Sequence, residues 1–351
     1  MIHLKRAVLR GLTAPAVTRQ SVCVALQQAI ELEHSTIPLY LYALYSLDPA
    51  KNGAIAGILS SVVIEEMLHM TLASNVMNAL GGSPVINEPG FIPTYPGPLP
   101  GGVEAELTVN LAPFSSEQLQ AFITIEQPED PLDFPSAALL AADATAPITI
   151  GQFYAAILAA IEQLGDGAFA KPPRNQVGPE LMRESVVVYD VMTARRAIET
   201  IVEQGEGTHT SPEAVVGGGY AHYYRFMEIA KGHRLVKTPG IEPGYAYTGE
   251  AVPFDPQGVY PVPTNPTLAS YPPNSAQRLA CNNFNYAYTS LLLVLHQLFN
   301  GAATSAQFNT AIGLMMSLKG QAKAMMAGIP NPKLHVGPSF EYQPIDPGNA
   351  A

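Results

Sequence analysis

Glu66 and His69 stand three residues apart in the run Glu65-Glu66-Met67-Leu68-His69. In a helix that spacing sets a carboxylate and an imidazole side by side on one face, which is half of a metal site. Val62, Glu66, His69, Ala73, Val76 and Leu80 follow a four-three repeat, the stripe of a helix packed against others. A carboxylate on such a stripe is costly to bury unless a cation or hydrogen-bond donors compensate it. Glu65 forms a rival stripe with Ile58 and Leu72, but the Glu-x-x-His spacing, which helical bundles use to bind paired metals, selects Glu66. Alone, such a pair reads as a surface glutamate beside a core histidine. Three other stretches change that balance.

In residues 20–47, Leu26, Ile30, Glu33, Ile37, Tyr40, Leu44 and Leu47 repeat the same spacing, with Glu33 the only charge on the stripe. Glu31 falls among Gln27, Gln28 and Ser35 and is expected in solvent. Pro38 either kinks this helix, freeing the carbonyl of His34, or divides it in two. A third helix is expected over 180–205. There Glu199, Glu203 and Glu206 share a face, and like charges so spaced destabilise a helix by about 0.2–0.5 kcal/mol per pair unless a cation intervenes. Arg195 or Arg196 can pair with Glu199, leaving Glu203 and Glu206 as candidates. A fourth helix is expected over 212–231, with His222 on the stripe of Val215, Phe226 and Ile229, and Glu228 off it and exposed. The candidate metal ligands are therefore Glu33, Glu66, His69, Glu203, Glu206 and His222.

The second helix, about 54–80, ends at Gly81-Gly82-Ser83-Pro84, glycine past the last turn and proline beyond. The short connection before it makes the first two helices antiparallel neighbours. Residues 84–147 are dense in proline and glycine and read as an insertion. Within it Val103–Leu111 alternates like a strand of a small hairpin, and Gln118–Glu126 is a short strand or a helix. Residues 149–164 form a short amphipathic helix starting at Thr149. The tyrosine-rich stretch 232–275 reads as an ordered wrap, and helices follow at 276–299 and 305–327. Their leucines and methionines supply packing or a surface between subunits of a homo-oligomer. The expected fold is mainly α: a single domain over 1–351, a four-helix bundle carrying the insertion and two additional C-terminal helices.

Composition narrows the partners. A chain of 351 residues with 47% hydrophobic and 13% charged residues is long enough to bury a large core. A net charge of −11 argues against nucleic acid and anionic membranes. Cys23 and Cys281 match no metal or disulfide spacing and read as reduced core residues. No apolar stretch reaches the ~18 residues of a membrane span, and no signal-peptide pattern opens the chain. A cytoplasmic location without a membrane is the expectation.

Four stretches together, Ala29–Pro38, Glu65–Met70, Ile201–Gly207 and His222–Phe226, resemble the iminophenyl-pyruvate dimer synthase family of the ferritin-like superfamily. Its members include the amino-terminal regions of enzymes that couple two tryptophan-derived imines in violacein and indolocarbazole biosynthesis. The resemblance spans most of residues 20–330 and implies a non-haem metal centre held by carboxylates and histidines. The larger enzymes carry additional sequence that this chain lacks. In place of the second Glu-x-x-His of di-iron bundles, this chain offers Glu203-x-x-Glu206 and a separate His222. The expected function is an oxidoreductase with iron, two ions per chain, activating dioxygen on a small organic molecule such as an amino-acid-derived imine. Manganese suits the same donors. The alternative is a metal-storage or structural-metal protein without turnover.

Overall fold

The computed structural model describes residues 4–13, 15, 17–100, 107–128, 148–207, 211–214, 217, 219–240 and 243–344. Its helices are α1 (Arg19–Tyr45), α2 (Pro49–Ala79), α3 (Ser116–Glu126), α4 (Ile150–Leu164), α5 (Val191–Gly205), α6 (His222–Lys231), α7 (Ala276–Asn300) and α8 (Ser305–Met326). Strands β1 (His233–Lys237) and β2 (Tyr245–Ala251) pair antiparallel.

α1 starts where the Thr18 hydroxyl accepts from the Ser21 N–H, and it runs unbroken through Pro38. The proline therefore does not divide it. Only Ser46–Asp48 separate α1 from α2, so the two pack antiparallel along their length. Leu26, Ile30, Tyr40, Leu59, Val62, Leu72, Ala73 and Val76 are all fully buried, each large side chain contributing about 1.5–3 kcal/mol. α5 packs on α2, α4 on α5, and α1 on α4, closing a ring of four helices. Contrary to the expectation from sequence, α2 is by length and composition apolar enough to cross a bilayer, and 61% of its most apolar window is buried within the protein.

The later helices differ from the sequence expectation in extent. α5 begins at Val191, not near residue 180, because Asp190 and Thr193 form a capping box there. Upstream, the Asn75 side chain takes up backbone groups that a helix would use, donating to the carbonyls of Val177 and Val186 and accepting from the Val177 N–H. α6 begins at His222, not 212; before it Glu213 and Tyr220 form an isolated antiparallel bridge. The fourth place in the ring, expected for 212–231, is taken by α4, while α6 packs on α3 and α2. Gln118–Glu126 resolves to a helix, capped by Ser115.

A hairpin was expected within 84–147, of which 101–106 and 129–147 lie outside the described residues. There Val109 pairs with Gly97 in an isolated bridge, and the two-stranded sheet falls instead in 233–251, within the expected wrap. Glu228, expected in solvent, is buried: it accepts from the Leu235 N–H at 3.0 Å and from Arg234 at 2.6 Å, which ties α6 to β1. Cys23 and Cys281 are free and buried.

Candidate metal centre

Midway along α1 and α2, Glu33, Glu66 and His69 converge. The C-terminal residue of α3, Glu126, and the first residue of α6, His222, meet them from the side. Glu33, Glu66 and His69 form one triad whose ligand atoms lie within 4.8 Å of one another, and Glu66, Glu126 and His222 form a second. Glu66 belongs to both.

Each carboxylate is held from behind by one hydroxyl. Tyr154 donates to Oε1 of Glu33 at 2.5 Å, Thr36 to Oε2 of Glu66 at 2.8 Å, and Tyr40 to Oε1 of Glu126 at 2.5 Å. The other oxygen of each faces an imidazole Nδ1. Glu33 Oε2 lies 3.3 Å from His69 Nδ1; Glu66 Oε1 lies 2.8 Å and Glu126 Oε2 3.5 Å from His222 Nδ1. Each histidine is likewise held by its far nitrogen. His69 Nε2 is 2.9 Å from Gln204 Oε1, and His222 Nε2 is 3.0 Å from Glu65 Oε2, which Arg225 also pairs. The two rings lie nearly parallel, 5.3 Å between centroids. Thus the outward atoms are engaged by the protein, and three carboxylate oxygens and two Nδ1 atoms point inward.

All five side chains are buried, so their charges are strongly coupled. Burial opposes protonation of His222, but the surrounding carboxylates of Glu126, Glu65 and Glu66 outweigh it and hold its pKa well above the ordinary imidazole value. For His69 burial is likewise overcome, chiefly by Glu33, and the pKa is raised. Burial and the neighbouring charge of Glu126 raise the pKa of Glu66, with His222 opposing them. Burial pushes Glu65 up, yet His222 and Arg225 together bring it down to about 2.

Despite its near oxygens, His222 Nδ1 is buried and makes no well-directed hydrogen bond. A ring nitrogen aimed between two carboxylate oxygens suits a shared cation better than a shared proton. The donor set of three carboxylates and two imidazoles suits iron, manganese or zinc. A divalent ion ligated by both Nδ1 atoms displaces the protons that the raised pKa values keep there. Zn(II) uptake should then release protons and strengthen as pH rises. Calorimetry in buffers of different ionisation enthalpy reads this directly; an enthalpy independent of buffer would contradict it.

Glu206 and Glu203 are placed differently. Glu206 lines a cavity of about 40 Å³ beside the cluster, together with Leu32, Ile125, Ile150, Ile201 and Val202. Its Oε1 accepts from the Gly151 N–H at 3.0 Å, at the start of α4, and a Cβ on Gly151 would sit 2.8 Å from Oε2. A helix N-terminus is a favourable seat for that charge. Glu203 is half-buried, joins neither triad and does not line the cavity. Its neighbour Gln204 is the α5 residue that reaches His69. Glu199 pairs with Arg195 on the surface.

Of the five side chains of the two triads, Glu33, Glu66, His69 and His222 are expected from the sequence and Glu126 is not. A signal for it existed: Leu119, Phe122 and Glu126 lie on one stripe of α3, with Glu126 its only charge.

A family model described as ferritin-like matches residues 26–231. Among curated proteins, the dichlorochromopyrrolate synthase of Lentzea aerocolonigenes is 24% identical over 390 residues, covering 93% of this chain and 36% of that protein. The chain thus spans little more than a third of that relative's length. Among solved structures, the crystal structure of a ferritin-like protein from Caulobacter vibrioides superposes with a TM-score of 0.62 at 25% identity, covering 94% of this chain and 99% of that one.

Proposed function

Since the chain belongs to the ferritin-like family, whose bundles bind paired metals through inward Glu and His side chains, we propose that it is a two-iron oxidoreductase acting with dioxygen on a small organic molecule. The observation that carries this is the pair of triads sharing Glu66. Glu33 and His69 would hold one ion, Glu126 and His222 the other, with Glu66 available to both. Iron in such a site supplies electrons to dioxygen and so makes a substrate oxidation accessible.

The protein's own contribution is orientation and exclusion of water. Tyr154, Thr36 and Tyr40 fix the carboxylates through their outer oxygens, so the inner ones need no rearrangement to ligate. The Tyr154 and Tyr40 hydroxyls donate to Glu33 Oε1 and Glu126 Oε1, and burial keeps both phenols protonated far above neutral pH. Leu32, Ile125, Ile150, Ile201 and Val202 form the apolar part of the cavity wall, facing the inward carboxylates. The name of the Lentzea relative, dichlorochromopyrrolate synthase, together with the resemblance in the ligand-bearing stretches, supports an amino-acid-derived imine as the substrate class. The reaction of that much longer protein is not carried over whole.

The test is oxygen uptake by protein loaded anaerobically with Fe(II), in the presence of α-imino acids generated in place from aromatic amino acids by an amino-acid oxidase, with the oxidase's own consumption, measured beside metal-free protein, subtracted. Uptake continuing past the amount that oxidises the bound iron, and absent without the imine, is the expected result. Uptake that stops at that amount with every imine tried would make this a storage or structural site.

A further inference from the structure

We propose that Glu184 is a positioning residue for His69: acting through Gln204, it fixes which imidazole nitrogen carries the proton and so leaves Nδ1 free to ligate. This rests on the two-metal reading above. The chain of contacts is short and directional. Gln204 is 2% exposed and lies between the two residues. Its Nε2 donates to Glu184 Oε2 at 3.1 Å and its Oε1 faces His69 Nε2 at 2.9 Å.

An amide alone would not decide the tautomer, because a flipped glutamine presents N–H groups in place of oxygen. A carboxylate offers only acceptors, so Glu184 compels the amide nitrogen toward itself and the amide oxygen toward His69. His69 Nε2 must then carry hydrogen. Its Nδ1 lone pair is left on the side of Glu33, Glu66 and the cavity.

The backbone is shaped around this contact. Gly217 adopts φ +86°, and a Cβ there would stand 3.2 Å from Glu184 Oε2 and 3.4 Å from Gln204 Nε2. A side chain at 217 would be strained in its own backbone and would press on both partners at once. The link also crosses elements: Glu184 lies in the irregular segment before α5, Gln204 near the end of α5, and His69 in α2. Glu184 itself lines an open cleft with Arg183 and Arg196, so it is reached from the surface while its target is buried.

The test measures Co(II) binding by its visible ligand-field absorption in four proteins: wild type, Glu184→Gln, Gln204→Leu, and the exchange Glu184→Gln with Gln204→Glu. Losing an outer partner of a ligating histidine typically lowers metal affinity about 10–100-fold. Glu184→Gln and Gln204→Leu should each weaken one of the two ions by about tenfold or more, with an altered spectrum for that ion. In the exchange protein a carboxylate at 204 presents only acceptors to His69 whatever occupies 184, so affinity and spectrum should return toward wild type.

Equal binding by Glu184→Gln and wild type would overturn the proposal. So would equal weakening of Glu184→Gln and the exchange protein, since that marks a role in holding the segment rather than the histidine. Should Glu184→Gln fail to fold, Gln204→Leu against Gln204→Glu carries the same contrast: loss in the first and retention in the second. If wild type binds no Co(II), or His69→Ala binds as much as wild type, the two-metal reading itself fails.

Discussion

Glu66→Ala should cost the protein both metal ions, whereas Glu33→Ala and Glu126→Ala should each cost one. Glu66 is the residue common to the two triads, with one oxygen taken by Thr36 and the other 2.8 Å from His222 Nδ1. Without it, Glu33 with His69 and Glu126 with His222 remain as separate pairs of donors, each too few to retain an ion against chelation. Outer partners of metal ligands already govern affinity by about 10–100-fold; loss of an inward carboxylate should lower it at least as much for each ion. Oxygen-dependent turnover should vanish with it. The measurement is Fe(II) stoichiometry by anaerobic titration of the three variants, with circular dichroism to establish that each is folded. One ion retained by Glu66→Ala with wild-type affinity would show that the triads do not share it.

Phe226→Ala should destabilise the chain by about 3–5 kcal/mol, the usual cost of emptying a buried phenylalanine site. Phe226 is wholly buried, 5.3 Å from the ring of Tyr40 and 5.6 Å from that of Phe122, which are themselves 4.6 Å apart. The three rings lock α6, α1 and α3 together behind the second triad. One turn before Phe226 stands His222, Tyr40 holds Glu126, and Phe122 is one turn before Glu126. The loss should therefore spread to function unevenly, weakening the ion at Glu126 and His222 more than the one at Glu33 and His69. Phe299→Ala is the control, since Phe299 is equally buried but lies at the end of α7; it should cost similar stability and leave both ions in place. Urea unfolding with metal titration reads both quantities, and a loss under 1 kcal/mol, or equal weakening of the two ions by Phe226→Ala, would contradict the packing assigned to these rings.

The sequence carried the site where a charge interrupted a regular apolar stripe. Glu33, Glu66, His69 and His222 each sit on such a stripe, and burial follows from periodicity before any partner is known. Periodicity does not say which helix a stripe meets. That is why α4, a short amphipathic helix, takes the place in the ring expected for 212–231, and why α6 is free to bring His222 in from the side. Glu126 was hidden because the proline-rich surroundings of α3 left open whether its residues repeat with the period of a strand or of a helix. Glu203 is the reverse case. Its spacing from Glu199 and Glu206 suggested a shared cation, but Arg195 and the start of α4 neutralise those two separately. Gln204 gave no signal at all, because a neutral amide on a helix is unremarkable until its two neighbours are known. Glu228 was misplaced for a related reason: its partners, Arg234 and the Leu235 N–H, belong to a strand the sequence presented as a wrap.

Anaerobic Fe(II) titration of the metal-free wild-type chain tests the central claim most directly. Two ions bound per chain, the second weakened selectively by His222→Ala and the first by His69→Ala, is the predicted result. A single ion, or none, with neither substitution altering the titration, would contradict the shared-carboxylate centre and the oxidoreductase built on it.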